Sequence, residues 1–159
     1  MKKLASPAPA LKGSVARPRV LYVEDNDDNW RVAELRVSRS YNLVHAATDR
    51  IACQMLCQPG KLYAVLMDIE LRGSILDGIQ LTHLIRGTLP PRTLPDYAQR
   101  VPISRVPIVI VTAYGDRHSR SELLAAGASD VVLKPVDFTR LNLTLAQLYI
   151  DRALARGSG

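Results

Sequence analysis

The chain has 159 residues, of which 47% are hydrophobic and 23% charged, proportions that are ordinary for one globular domain with a full core. It contains no apolar run long enough to span a bilayer and no signal peptide, so we expect a cytoplasmic protein without a membrane segment. The two cysteines, Cys53 and Cys57, have no second pair nearby, which favours reduced thiols over a disulfide framework or a metal site.

The net charge of +6 is unevenly distributed along the chain. The first 19 residues contain no acid and five bases, namely Lys2, Lys3, Lys12, Arg17 and Arg19. The rest of the chain is close to neutral, which argues against a nucleic-acid-binding domain. Because residues 1–17 are rich in Ala, Pro and Ser, we predict a disordered basic leader there and a folded domain over 18–156.

From Arg19 onward, short apolar runs alternate with helix-like segments. The predicted strands are RVLYV, YNLVHAA, LYAVLM, PIVIVTA and SDVVLK. The predicted helices are DNDDNWRVAELRVSRS, DRIACQMLC, DGIQLTHLIRG, DRHSRSELLAAGA and DFTRLNLTLAQLYIDRALAR, the last burying Leu141, Leu145, Leu148 and Ala153. This alternation predicts an α/β fold, a doubly wound five-stranded parallel sheet with helices on both faces.

Most of the residues at the carboxyl ends of the predicted strands have polar or charged side chains. These are Glu24 and Asp25 after strand 1, Asp68 at strand 3, Thr112 and Ala113 at strand 4, and Lys134 and Pro135 at strand 5. Parallel strands bring these ends to one edge of the sheet. Crowded carboxylates resist ionisation, and a hard cation such as Mg²⁺ relieves their repulsion. A metal ion and an ammonium group beside a carboxylate make a site suited to receiving a phosphoryl group.

Five motifs in this chain resemble the receiver domains of bacterial two-component response regulators. They are VEDN (23–26), LMDIEL (66–71), DGIQL (77–81), IVTA (110–113) and AAGASDVVLKP (125–135). The resemblance runs from about Arg19 to about Leu154. It implies a flavodoxin-like sheet with strand order 2-1-3-4-5.

The resemblance also implies a role for each matching position. Asp68 matches the aspartate that accepts a phosphoryl group from a sensor histidine kinase or a phosphotransfer protein. The implied Mg²⁺ ligands are Glu24, Asp25, Asp68 and the backbone carbonyl of Glu70. Thr112 matches the switch hydroxyl, Lys134 matches the lysine that pairs with the phosphate, and Pro135 implies a cis peptide bond after Lys134.

The switch region departs from the family pattern. The position three residues before the lysine is usually aromatic, and here it is Val131. Tyr114 is the nearest aromatic residue, next to Ala113 at the rim of the expected site. Our hypothesis is that Tyr114 shields the acyl phosphate or reports its presence, and a rim tyrosine with no special role is equally consistent with the sequence.

Two connections are longer than the family usually has. ELRGSILDG contains two extra residues, with Gly73 and Ser74 as the added turn. The second is an insertion at about 88–106, which emerges at the amino edge of the sheet, opposite the phosphorylation site, and which we predict to be an ordered excursion. We expect Leu89, Leu94 and Tyr97 to pack it, with a helical turn at Pro95 to Gln99. Partner docking and a tolerated surface insertion are both open, and the second is slightly favoured.

Only one helix follows Lys134, which predicts a stand-alone receiver, not a turnover enzyme, without a DNA-binding domain. Such a protein signals by phosphorylation-dependent binding to a protein target, through helix 4, strand 5 and helix 5, and homodimerisation is open. The residues expected on that surface are Arg117, Arg120, Arg140 and part of Tyr149. The alternatives are a phosphorylation-independent adaptor and a phosphatase of the haloacid dehalogenase type, in which Glu70 stands where the second aspartate is usual.

Overall fold

Five parallel strands form one sheet in the order β2-β1-β3-β4-β5, as predicted. The computed structural model describes residues 16–113 and 117–158. The strands are β1 (Arg19–Val23), β2 (Asn42–Ala46), β3 (Ala64–Asp68), β4 (Ile108–Ala113) and β5 (Asp130–Lys134). Nearly all of the predicted leader and Tyr114 lie outside the described residues.

Five helices cover the two faces of this sheet. They are α1 (Asp27–Val37), α2 (Asp49–Leu56), α3 (Gly78–Arg86), α4 (Arg120–Ala126) and α5 (Phe138–Gly157). Helix α4 begins later than the sequence suggested, because Ser119 and Glu122 form a capping box that fixes its first turn. Gly87 and Gly127 end α3 and α4 with positive φ angles of 73° and 118°, a conformation that favours glycine.

The core lies on both sides of the sheet because alternate strand residues point to opposite faces. In β1, Leu21 and Val23 pack in the cluster under α2 and α3, whereas Val20 and Tyr22 pack in the cluster under α1 and α5. The final turns of α5 differ from the prediction. The predicted stripe is buried at Leu141 and Leu145 and half-buried at Leu148, but Ala153 is exposed.

The insertion at 88–106 is structured and packs on α2. It contains two short 3₁₀ helices, Pro91–Thr93 and Asp96–Ala98, and the second lies at the turn predicted for Pro95 to Gln99. Leu89, Leu94 and Tyr97 pack against the core, as expected.

The insertion emerges at the amino edge of the sheet, between the end of α3 and the start of β4, as predicted, but it extends further, because Tyr97 reaches Asp49. Asp49 is the first residue of α2 and follows β2 at the carboxyl edge, the edge where Asp68 stands. The insertion therefore runs back along α2, and it does so because its apolar side chains cover the core beside that helix.

Three further features complete the description of the fold. The Lys134–Pro135 peptide bond is cis. Cys53 is buried in α2, Cys57 caps the end of the same helix and is exposed, and both thiols are free. Among residues 16–113 and 117–158, none of the helices combines the length and the apolar character needed to cross a membrane.

Candidate functional site

Three carboxylates meet at the carboxyl edge of the sheet. Glu24 and Asp25 follow β1, and Asp68 ends the neighbouring strand β3. Each offers an oxygen atom, and these three atoms all lie within 4.8 Å of one another. Glu24 and Asp68 are buried and Asp25 is half-buried, so their charges are poorly screened by water.

Lys134 brings a positive charge to this cluster from the end of β5. Its Nζ donates to Asp68 Oδ2 at 2.8 Å and to Glu24 Oε2 at 3.1 Å. The lysine side chain therefore reaches across β4, the strand that separates β5 from β3.

Glu24 is held by several groups that the sequence analysis did not single out. The hydroxyl of Tyr22 donates to Glu24 Oε2 at 3.0 Å, and the backbone N–H of Asn26 donates to Oε1 at 3.0 Å. His45 Nε2 lies 2.7 Å from the Glu24 carbonyl oxygen, and the ring of His45 stacks on Trp30 with centroids 4.4 Å apart. Strand periodicity could have indicated Tyr22, because residues two apart share one face.

Asp68 is fixed from its backbone side as well. The N–H of Ile69 donates to Asp68 Oδ1 at 2.7 Å. The first residue of α3, Gly78, lies directly against the strand end, and a Cβ atom built there would stand 1.9 Å from the carbonyl oxygen of Asp68. Gly78 also donates its N–H to the Ile69 carbonyl at 2.8 Å. The Asp-Gly pair of the DGIQL motif therefore lets α3 start in contact with the phospho-acceptor candidate.

The burial of these groups shifts their protonation. Burial is the main cause that raises the pKa of Asp68, and the nearby charge of Glu24 adds to it, while Lys134 opposes the shift. For Lys134, burial alone would lower the pKa, but the carboxylates of Asp68 and Glu24 outweigh burial and raise it. Burial and Glu24 together also raise the pKa of the Tyr22 hydroxyl. Lys134 therefore keeps its proton, whereas the ionised form of Asp68 is disfavoured unless a further positive charge lies nearby.

The donor set fits a hard divalent cation. Three carboxylates face one ammonium group, and every candidate ligand atom is an oxygen. The site opens into a cavity of about 1040 Å³, which leaves space for water ligands and a phosphoryl group. Glu70 and Ala113 line this cavity, and acidic Asp27 and Asp28 at the start of α1 add to its negative charge.

The remaining switch and rim candidates lie around this cluster. Thr112 is buried in β4, one residue before the cavity-lining Ala113. Val131 is half-buried in β5 and packs against the core, and Pro135 follows Lys134 through the cis bond. Tyr114 belongs to the part of the chain that is not described, so its hypothesis stays a prediction.

The surface formed by α4, β5 and α5 carries a local ion pair. Arg120 Nη2 lies 2.6 Å from Asp130 Oδ1, and Nη1 donates to the Val131 carbonyl at 3.3 Å, so α4 is tied to β5. Tyr149 was expected on this surface, but its ring lies elsewhere. Its ring stacks on Tyr63, with centroids 5.1 Å apart, at the amino edge of the sheet.

Comparison with known proteins agrees with this architecture. A family model described as "Response regulator receiver domain" matches residues 20–146. Response regulator PleD of Caulobacter vibrioides is 27% identical over an alignment of 143 positions, which covers 87% of this chain and 28% of that protein. Response regulator mcs4 of Schizosaccharomyces pombe is 27% identical over an alignment of 166 positions, gaps included, which covers 96% of this chain and 31% of that protein. The chain thus spans less than a third of the length of these relatives, which come from a yeast as well as a bacterium.

A solved structure shows the same fold. The crystal structure of the receiver domain of NtrX from Brucella abortus superposes with a TM-score of 0.66 at 23% identity, covering 82% of this chain and 97% of that one. The family match over residues 20–146, together with the sheet order and the acidic cluster, shows that this chain belongs to the response regulator receiver domain family.

Proposed function

We propose that Asp68 accepts a phosphoryl group from the phosphohistidine of a sensor histidine kinase or a phosphotransfer protein. The observation that carries this proposal is the position of Asp68, which is paired with Lys134 inside a cluster of three carboxylates. In the transfer, an Asp68 oxygen forms a bond to phosphorus while the bond from phosphorus to the imidazole nitrogen breaks. The electron pair stays on that nitrogen, which takes up a proton, and the product is an aspartyl phosphate.

The other groups of the site position charge around the transferred group. Glu24, Asp25, Asp68 and the Glu70 carbonyl would hold Mg²⁺, which supplies positive charge against the negative charge gathered on the phosphoryl oxygens. Lys134 holds its ammonium 2.8 Å from Asp68 Oδ2, so it is ready to pair with the phosphate. We propose that Thr112 offers its hydroxyl to the phosphoryl oxygens. Receiver domains are signalling modules that histidine kinases phosphorylate and that bind Mg²⁺ at an acidic pocket.

We propose that a protein target recognises the phosphorylated form at the surface of α4, β5 and α5. Leu124 in α4 and Leu133 in β5 are exposed by 38% and 51%, which leaves apolar area for a partner to cover. Lys134 ends the same strand that carries Leu133, so β5 connects the site to this surface.

The proposal is tested by incubation with acetyl phosphate and Mg²⁺, followed by measurement of the intact mass. We expect the wild type to gain one phosphoryl group and Asp68→Ala to gain none. Asp27→Ala is the matched control, because Asp27 lines the same cavity outside the three-carboxylate cluster, and it should still be modified. A wild type that stays unmodified would refute phosphoryl acceptance. Steady hydrolysis of unrelated phosphate esters would indicate an aspartyl phosphatase instead.

A second candidate function is that of an adaptor whose partner binding does not depend on phosphate. It is favoured by Val131, which packs against the core at the position where the family usually has a mobile aromatic residue. Recovery of co-purifying proteins with the wild type and with Asp68→Asn separates the two functions. Partners that depend on acetyl phosphate and are lost in Asp68→Asn support the receiver, and identical partners in all samples support the adaptor.

A further inference from the structure

A buried carboxylate outside the metal cluster organises the loop between β3 and α3. Asp49 is 2% exposed and is the first residue of α2. Its Oδ2 accepts hydrogen bonds from the N–H groups of Leu76 at 2.9 Å and Ile75 at 3.2 Å. Its own backbone N–H donates to Ser74 Oγ at 2.9 Å. Asp49 therefore binds three consecutive residues of that loop.

The insertion reaches the same carboxylate. The hydroxyl of Tyr97 donates to Asp49 Oδ2, and the Arg50 guanidinium carbon lies 4.4 Å from the centroid of the Tyr97 ring. Ser74 belongs to the extra turn of the β3–α3 loop, and Tyr97 belongs to the insertion at 88–106. The two places where this chain is longer than the usual receiver thus meet at Asp49.

The other part of this loop binds the metal cluster. The N–H of Arg72 donates to Asp25 Oδ2 at 3.0 Å, and Glu70, two residues earlier, lines the cavity. The loop is therefore tied to Asp25 at one point and to Asp49 at another. Gly73 lies between these points with a φ angle of +74°, and no atom outside its neighbours is within 4 Å of its Cβ position. The buried side chains of Leu71 and Leu76 anchor the loop in the core, and the hydrogen bonds to Asp25 and Asp49 fix the turn between them.

The charge on Asp49 makes the Tyr97 contact important. Burial alone would raise the pKa of Asp49, but the Tyr97 hydroxyl and the backbone N–H groups of Leu76, Arg50 and Ile75 outweigh burial and lower it. Asp49 is therefore a buried charged acceptor. Removal of one donor leaves that charge less well satisfied, and the loop residues that share it must shift.

We propose that Tyr97 is a positioning residue for the metal site. Its hydroxyl fixes Asp49, Asp49 fixes the β3–α3 loop, and the loop holds Asp25 and the Glu70 carbonyl where they would bind Mg²⁺. The insertion is then part of the phosphorylation machinery, although none of the residues that line the cavity belongs to it. This inference relies on the proposed function for the identity of the metal.

The test is to titrate the Tyr97→Phe variant with Mg²⁺. Calorimetry and the fluorescence of Trp30, the single tryptophan, both measure the binding. Trp30 stacks on His45, which contacts the Glu24 carbonyl oxygen, so its emission can respond to the site. We expect the Mg²⁺ dissociation constant to rise about fivefold, the effect of one hydrogen bond to a charged group acting through a supporting residue. Tyr63→Phe is the matched control, because it removes a tyrosine hydroxyl that donates to Leu145 at the amino edge.

A second measurement does not need the metal. Without Mg²⁺, the amides of Ile75 and Leu76 should exchange hydrogen faster in Tyr97→Phe than in the wild type, and Tyr63→Phe should leave them unchanged. A Tyr97→Phe protein that melts earlier but keeps the wild-type Mg²⁺ dissociation constant would show a purely structural role and overturn the inference. Failure of the wild type to accept a phosphoryl group would refute the proposed function alone, because neither of these readouts measures phosphorylation.

Discussion

The Asp68 side chain lies in an environment that opposes the ionised form that its proposed role requires. In the proposed function it must be ionised to attack phosphorus, yet it lies 7% exposed beside another carboxylate. Burial is the largest cause that raises its pKa from 3.8 to about 6, and the charge of Glu24 acts in the same direction, whereas Lys134 opposes it. The folded protein without metal thus holds a proton on Asp68 more tightly than the unfolded chain does, and stability is linked to pH.

This linkage predicts a defined pH dependence. Without divalent cations, the contribution of Asp68 to stability is complete below about pH 4 and is lost as the pH rises through about 6, because a raised pKa favours the protonated fold. Asp68→Asn should remove this loss and raise the free energy of unfolding at pH 7 by roughly 1–2 kcal/mol. Urea unfolding at several pH values measures the effect. A variant that is less stable than the wild type at pH 7 would contradict the prediction.

Single residues also show what a sequence can and cannot predict about a site. Glu24, Asp25, Asp68 and Lys134 could be placed together because each stands at the end of a strand, and parallel topology brings strand ends to one edge. Tyr97 could not be placed, because its contact depends on how a long insertion returns across α2. No periodic pattern records that path, since the contact joins residues 48 positions apart.

The packing of α3 against β3 has a sharp steric requirement. A methyl group at Gly78 would lie 1.9 Å from the Asp68 carbonyl oxygen, which is backbone and cannot rotate away. Gly78→Ala should therefore move the start of α3, lower the free energy of unfolding by about 2–4 kcal/mol and slow acetyl phosphate modification.

A matched control exists within the same chain. Gly157 ends α5 and has nothing within 4 Å of its Cβ position, so Gly157→Ala should leave stability within about 0.5 kcal/mol of the wild type. Chemical denaturation of both variants makes the comparison. Equal stabilities for the two would mean that α3 does not need this close approach.

The secondary structure elements differ in how well their limits could be predicted. The strands agree with the apolar runs to within about two residues, because buried parallel strands are continuously apolar. Helix α4 begins late, since the capping box at Ser119 stabilises that start better than the preceding residues could. Helix α5 exposes Ala153, because the stripe that packs on the sheet ends earlier than the helix itself.

Charge is distributed unequally over the whole molecule. Acidic groups gather at the carboxyl edge, whereas the amino edge has a cleft of about 440 Å³ with four basic residues, Arg19, Lys61, Arg152 and Arg156. Among the described residues, none that lines this cleft is acidic, and the others are Pro18, Tyr63, Tyr149 and Ala153. The positive charge of Arg156 is the main cause that lowers the pKa of Lys61. Desolvation of Lys61 and the positive charge of Arg152 lower it further.

Because these like charges repel one another, removal of one basic side chain should raise the melting temperature by an amount that depends on the salt concentration. Arg156→Ala should raise the melting temperature slightly at low ionic strength, and the gain should vanish at high salt, where the repulsion is screened. Arg140→Ala, at the other end of α5 next to the Asp137 cap, should not show that gain. Thermal scans at two salt concentrations compare them, and a lower melting temperature for Arg156→Ala at low salt would contradict the repulsion.

The two thiols of α2 are chemically unequal. Burial, with smaller contributions from Asp49 and Cys57, raises the pKa of Cys53 to about 12, and alkylating reagents attack the thiolate. In the native fold a maleimide dye would therefore attach at exposed Cys57 alone. Cys57 is the capping residue at the end of α2, the helix on which the insertion packs, so the unmutated chain already contains one specific attachment point for a spectroscopic label. The emission of a dye at Cys57 would then report whether the insertion moves when acetyl phosphate is added.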